Sequence, residues 1–208
     1  MTEPAAAKQL RYVALGDSYT IGTSVGSRER WPDQLVASLG GHLILAANLG
    51  VNGYTSRDVI RRELPELGRH APEFGSILIG VNDVVQAVAA GEYRRNAATI
   101  LDELLKRLAP TRILAVGTPD YTVTPEGARF GDPRSQSAAI AENNVTLHEL
   151  SETRGIAFVD IFDLSRRAAT DPSLVANDGL HPSGAQYALW VDRIGPVVRR
   201  LLTQSPES

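Results

Sequence analysis

Residues 12–18 read Tyr12-Val13-Ala14-Leu15-Gly16-Asp17-Ser18: four apolar residues, a glycine, then an acid and a serine. A short continuous apolar run closed by a glycine is the pattern of a strand buried on both faces. Four similar runs follow, two closed by a glycine and two by a polar residue. Leu43-Ile44-Leu45-Ala46-Ala47 ends at Asn48, and Ser76-Ile77-Leu78-Ile79 ends at Gly80. Ile113-Leu114-Ala115-Val116 ends at Gly117, and Ile156-Ala157-Phe158-Val159 ends at Asp160. Between the runs lie stretches with helical spacing. Trp31, Leu35, Val36 and Leu39 share one stripe, with Pro32 in the first turn. Ile100, Leu101, Leu104, Leu105 and Leu108 mark a helix over 93–108. Helices are also predicted over 137–154, weakened by Asn143 and Asn144, and over 186–202, with Pro196 as a kink or break. A further helical stretch, 55–69, is interrupted at Pro65. Strand and helix alternate throughout, which predicts one doubly wound α/β domain over residues 1–208, with its core at about 10–203. Residues 118–136 carry three prolines and two glycines and read as a long loop, with Tyr121, Val123 and Phe130 as its apolar candidates for lining a pocket. Ser205–Ser208 are expected to fray.

Composition narrows the function classes. Of 208 residues, 43% are apolar and 22% charged, and the net charge is −3 from 21 basic and 24 acidic side chains. That balance gives no reason to expect nucleic acid or an anionic membrane as partner. No apolar run approaches the length of a bilayer span. There is no cysteine, so disulfides, thiolate metal sites and a Cys nucleophile are excluded. The start, MTEPAAAKQL, has no apolar signal core. Our expectation is a cytoplasmic protein, with export on a removed signal left open. The arginines between Arg57 and Arg69 are read as solvated faces.

In open α/β sheets, ligands bind beyond the carboxyl ends of the strands. Asp17 and Ser18, the 48–52 segment, and Asn82 with Asp83 all follow apolar runs closely, so the fold should bring them to one rim. Ser18 can be an exposed hydroxyl at a strand-to-helix turn, or it can simply cap a helix; Gly-Asp-Ser alone favours the cap. It does not match the Gly-x-Ser-x-Gly elbow, because Thr20 replaces the second glycine. Asp178-Gly179-Leu180-His181-Pro182 sets an acid three residues before a histidine, close enough to pair. Read alone, it is equally a catalytic pair or a surface turn. His42, His70 and His148 lack such a partner and are read as surface or packing residues. Gly53 and Asn82 can donate N–H groups to a developing oxyanion, or serve as a turn glycine and an Asx turn.

Together the four segments resemble the SGNH-hydrolase family, also called GDSL esterases and lipases. Its four diagnostic positions fall on Ser18, Gly53, Asn82 and His181, with Asp178 as the triad acid. The likeness spans residues 12 to about 190, and Trp31-Pro32 also looks like the family pattern. Tyr19 stands where many members carry Leu or Ile. The resemblance implies a three-layer α/β/α, flavodoxin-like sandwich with five parallel strands in the order 2-1-3-4-5. It implies Ser18, Asp178 and His181 as catalytic residues, and an oxyanion hole from the Ser18 and Gly53 amides and the Asn82 side chain. Hydrolysis would pass through an acyl-enzyme, with no metal or cofactor. Asp17 and Asp83 are read as turn-stabilising. The expected substrate is a small ester with a short or medium acyl chain. A sugar O-acetylesterase, a lysophospholipase or a thioesterase on the same site is the alternative, and a non-catalytic binding module is a further one. The oligomeric state is left open.

Overall fold

The computed structural model describes residues 9–204. The expected fraying of Ser205–Ser208 and the reading of residues 1–8 lie outside them. Five strands, β1 (Leu10–Gly16), β2 (Leu43–Asn48), β3 (Phe74–Leu78), β4 (Ile113–Val116) and β5 (Ala157–Val159), form one sheet. Their order is β2-β1-β3-β4-β5 and every pair is parallel, as expected. The β1–β2 register shifts once, between Tyr12 and Val13.

The helices are α1 (Ser18–Ile21), α2 (Trp31–Ser38), α3 (Ser56–Asp58), α4 (Leu67–His70) and α5 (Val81–Val85), followed by α6 (Ala90–Leu105), α7 (Pro133–Glu152), α8 (Phe162–Ser165) and α9 (Gly184–Thr203). Alternate strand residues feed two cores, because strand side chains switch faces at every step. Tyr12 and Ala14 of β1, Leu114 and Val116 of β4, Trp31 and Leu35 of α2, and Tyr187, Trp190 and Ile194 of α9 fill one. Val13 and Leu15, Ile113 and Ala115, Ile100, Leu101 and Leu104 of α6, and Leu147 of α7 fill the other. Each fully buried large side chain stabilises this arrangement by roughly 1.5–3 kcal/mol. Among the described residues, no helix is long and apolar enough to cross a membrane.

Several local expectations change. Helix α9 runs unbroken through Pro196. Helix α7 starts at Pro133, four residues before the predicted boundary. Asp132 caps it, accepting the Ser135 N–H at 2.9 Å, and Pro133 takes the first turn, where a missing N–H costs nothing. Asn144 does not weaken this helix: buried, its Oδ1 accepts the Thr118 N–H and hydroxyl at 2.7 and 2.8 Å, and its Nδ2 donates to the Thr118 carbonyl at 2.9 Å. The 118–136 segment holds two short helical turns, Tyr121–Val123 and Gly127–Phe130. The 55–69 stretch is helical in pieces. A π turn covers Val59–Glu63, and a 3-10 turn containing Pro65 covers Leu64–Glu66. Of its arginines, Arg57 pairs with Glu92, Arg62 with Asp58 and Arg69 with Glu66, all partly exposed and worth under about 1 kcal/mol each.

Candidate active site

Ser18 stands just beyond the carboxyl end of β1, the second strand of the sheet, and the backbone at the strand's last residue, two before Ser18, allows only glycine. Gly16 has φ 148°, and a Cβ at that position would lie 2.2 Å from the Leu78 carbonyl oxygen. Asp17, not Ser18, caps α1: its Oδ1 accepts the Tyr19 N–H at 2.9 Å. The cap reading of Ser18 therefore gives way, and its hydroxyl is left for other work. As the first residue of α1, Ser18 has an N–H of the kind a helix leaves without an internal partner. Ser18 is only 7% exposed and lines a cavity of about 180 Å³.

His181 lines the same cavity. It reaches it on a turn closed by the Ala176 N–H donating to the His181 carbonyl at 2.7 Å, beside an antiparallel bridge between Val175 and Pro182. Asp178 Oδ2 lies 2.6 Å from His181 Nδ1, and Asp178 Oδ1 accepts the Leu180 and His181 N–H groups, each at 2.9 Å. Ser24 Oγ donates to Asp178 Oδ2 at 2.6 Å. Partial burial pulls the Asp178 carboxyl upward, but the bonds from Ser24, His181 and the two amides outweigh it and hold the group well below the usual carboxylate range. With Nδ1 engaged by the carboxylate, Nε2 is the nitrogen left to exchange a proton. The Tyr19 ring packs 5.3 Å from the imidazole. Where Leu or Ile would offer only an aliphatic surface, this chain gives the histidine an aromatic neighbour.

Gly53 and Asn82 complete the cavity's polar side. Gly53 has φ 79°, with open space where a Cβ would be, and its carbonyl accepts Gln86 Nε2 at 3.2 Å. Asn82 Nδ2 donates to the Tyr54 carbonyl at 2.9 Å and lies 3.5 Å from Asp17 Oδ2. The first is a firm bond; the second is at the limit of one, so one Nδ2 hydrogen is nearly free. Asp83 is buried and accepts both the Ser56 N–H, at 2.9 Å, and the Ser56 hydroxyl, tying the Asn82 turn to the segment after Gly53. Val81, Val85, Tyr121, Phe130 and Leu180 form the apolar wall. Tyr121 and Phe130 meet edge to face at 5.8 Å. Val123 departs from the expectation: it lines separate grooves, with Pro125 and Ala168 on one side and Phe162 on another. His148 stacks on Phe158, away from the cavity. Among the described residues, no group of three or more His, Asp or Glu side chains is placed to hold a metal ion.

Two carboxyls behind Ser18 carry a charge problem that the sequence did not announce. Glu63, the last residue of the π turn, accepts the Gly16 N–H at 2.9 Å, and its Oε1 is buried without a partner among the described residues. Burial pushes Glu63 up to about 9, against the pull of the Gly16 N–H and helped by the Asp17 charge. Burial likewise pushes Asp17 up to about 7, against its bond to Tyr19 and with the Asp83 charge adding. Glu63 lies on the buried face of the 55–69 stretch, four residues after buried Val59 and four before buried Leu67, a place the helical period gives to the core. A pH dependence follows. Above pH ~4.5 the unfolded chain releases the Glu63 proton while the folded chain keeps it until about 9, so stability falls as pH rises through that window. Glu63→Gln imitates the protonated form, and the drop in Tm from pH 5 to pH 9 should shrink by about 5 °C or more, at about 2–4 °C per kcal/mol. An unchanged drop would show that Glu63 is ionised in the folded state.

Known proteins give a context for this geometry. No curated protein matches the chain. Among solved structures, TesA aligns with a TM-score of 0.71 and 18% identity over 92% of this chain and 99% of its own. A catalytic mutant of Axe2, an acetylxylan esterase from Geobacillus stearothermophilus, gives 0.70 and 18% over 98% of both chains. A putative lipolytic protein of the G-D-S-L family from Desulfitobacterium hafniense gives 0.72 and 17% over 91% of this chain and 99% of its own. At these identities the likeness is one of fold. The sequence pattern described as the GDSL-like Lipase/Acylhydrolase family matches residues 14–189, most of the chain. The chain belongs to that family, and as an enzyme it is a carboxylic ester hydrolase.

Proposed function

We propose that the chain is a serine esterase for small acyl esters. Ser18 is the nucleophile, His181 the base and Asp178 the acid that orients it. The observation that carries the reading is the 2.6 Å contact of Asp178 Oδ2 with His181 Nδ1, made by a histidine that shares one cavity with Ser18. His181 Nε2 takes the Ser18 proton as Oγ attacks the ester carbonyl, and the carbonyl oxygen gains negative charge. The Ser18 and Gly53 N–H groups and Asn82 Nδ2 receive that oxygen. The tetrahedral intermediate expels the alcohol, which takes the proton from His181, and leaves an acyl-enzyme. Water, deprotonated by the same imidazole, then releases the acid.

Cavity size supports a short or medium acyl chain. The cavity holds about 180 Å³, and its wall is apolar where a chain would lie. On a graded series of p-nitrophenyl esters, kcat/KM should peak at short or medium chains. Phe130, 40% exposed at the mouth, should move that peak toward longer chains when replaced by Ala. A wild-type maximum on long chains would contradict the assignment, and acetate release from acetylated sugars exceeding that from simple esters would move it to carbohydrate. The central test is a fluorophosphonate probe. Ser18 should be labelled, and His181→Ala should abolish labelling; labelling elsewhere, or undiminished labelling of His181→Ala, would refute the nucleophile and base.

A further inference from the structure

Ser24 does not line the cavity and belongs to none of the sequence blocks that singled out the site, yet it makes one of the shortest bonds there. We propose that Ser24 is a positioning residue of the ester hydrolysis, holding the Asp178 carboxylate in the orientation that serves His181. The inference rests on the triad reading above.

Three observations carry it. The first is the bond itself. Ser24 Oγ lies 2.6 Å from Asp178 Oδ2, the same oxygen that faces His181 Nδ1. Oδ1 is held by two amides of its own turn. Among the described residues, Ser24 supplies the bond to Oδ2 that comes from outside the Asp178–His181 turn. A carboxylate has a broad torsional well about its last side-chain bond, so a second anchor decides which way Oδ2 points.

The second observation is backbone conformation. Ser24 has φ 68°, a left-handed value that costs a residue bearing a Cβ about 1–2 kcal/mol. Glycine would relieve that cost, and glycine would also remove the hydroxyl. Strain of this kind gathers where a particular side chain is needed.

The third is the route by which Ser24 is held. The Gly22 and Thr23 N–H groups both donate to the Ser18 carbonyl, at 3.0 and 3.1 Å. Thr23 Oγ1 then bonds Asn52 Oδ1, on the cavity wall next to Gly53. One short turn hung from Ser18 thus reaches the acid on one side and the oxyanion-side loop on the other. The Asp178 carboxylate is thereby tied to the backbone of Ser18 through Ser24 as well as to its own turn.

The test separates position from scaffold. In Ser24→Gly the backbone conformation is kept and only the hydroxyl is lost. Tm should stay unchanged or rise, while kcat on p-nitrophenyl acetate falls about tenfold and KM moves less than about twofold, as for loss of one charge-assisted hydrogen bond. Ser24→Asn, which tolerates the left-handed region and offers an amide donor, should recover about threefold of that loss. In an Asp178→Asn background the effect of Ser24→Gly should shrink below about twofold, since the group it positions is already disabled. Retention of kcat within twofold in Ser24→Gly overturns the proposal. So does a fall in kcat accompanied by a lower Tm, or an undiminished effect in the Asp178→Asn background. Fluorophosphonate labelling of Ser18 distinguishes the two levels. If Asp178→Asn slows labelling and Ser24→Gly does not, the triad stands and the role of Ser24 falls. If Asp178→Asn labels as fast as wild type, both fall.

Discussion

Ser18→Ala should lower kcat on p-nitrophenyl acetate by about ten-thousand-fold or more, with His181→Ala close behind and the double variant little worse than either. The size follows from the division of labour. Without Oγ there is no acyl-enzyme, and the residual rate is that of water attacking a carbonyl held in the cavity. Without Nε2 the hydroxyl keeps its proton, and an unionised serine is a poor nucleophile. The two losses do not add, because each disables the same step. Folding should survive: Ser18 does not cap α1, Asp17 does, so Tm should shift by only a few degrees. A variant retaining a tenth of wild-type kcat, with wild-type contamination excluded by mass spectrometry, would remove Ser18 from the mechanism.

Asn82→Ala should cost about a hundred- to a thousand-fold in kcat, with KM little changed. Asn82 Nδ2 has two hydrogens. One is committed to the Tyr54 carbonyl at 2.9 Å, which aims the amide. The other meets only the long 3.5 Å contact with Asp17, which an oxyanion can displace with little loss. The donor is therefore preorganised and unsaturated, the condition under which a hydrogen bond favours the transition state over the ground state. A fall in kcat of less than tenfold would mean that the two backbone amides hold the oxyanion unaided. A rise in KM with constant kcat would instead place Asn82 in ground-state binding.

The sheet was legible because its strands are buried on both faces, and that leaves unbroken apolar runs. Their parallel order came through resemblance, since periodicity does not state which strand lies beside which. Helix ends were harder. Asp132 and Pro133 form a cap and first turn, yet they sit in a stretch whose prolines and glycines read as loop. Pro196 read as a kink or a break; the break does not occur, since α9 continues through it, with Ile194 and Val198 on either side buried in the core beside α2. In the site, residues within compact blocks were visible: Ser18 beside Asp17, and His181 three after Asp178. Ser24 and Glu63 were not. Ser24 acts on a partner 154 residues away, and Glu63 is a carboxyl at a core position, in step with buried Val59 and Leu67, where a charged residue type reads as solvent-facing. Asp17 was read as turn-stabilising, and its bond to the Tyr19 N–H agrees; the sequence did not show that it would sit uncompensated beside Glu63.

The hydrogen bond from Ser24 to Asp178 joins the loop after α1 to the last loop before α9. Contacts of such long sequence separation form late, because the loop they close must be ordered first. The segments after β1, β2 and β3 bring Ser18, Gly53 and Asn82, but the site lacks Asp178 and His181 until the loop before α9 is in place. A nascent or refolding chain can hold most of its helix content and remain silent toward esters. Regain of hydrolysis would then time the docking of the C-terminal segment, and the enzyme would carry in its own activity a clock for the completion of its fold.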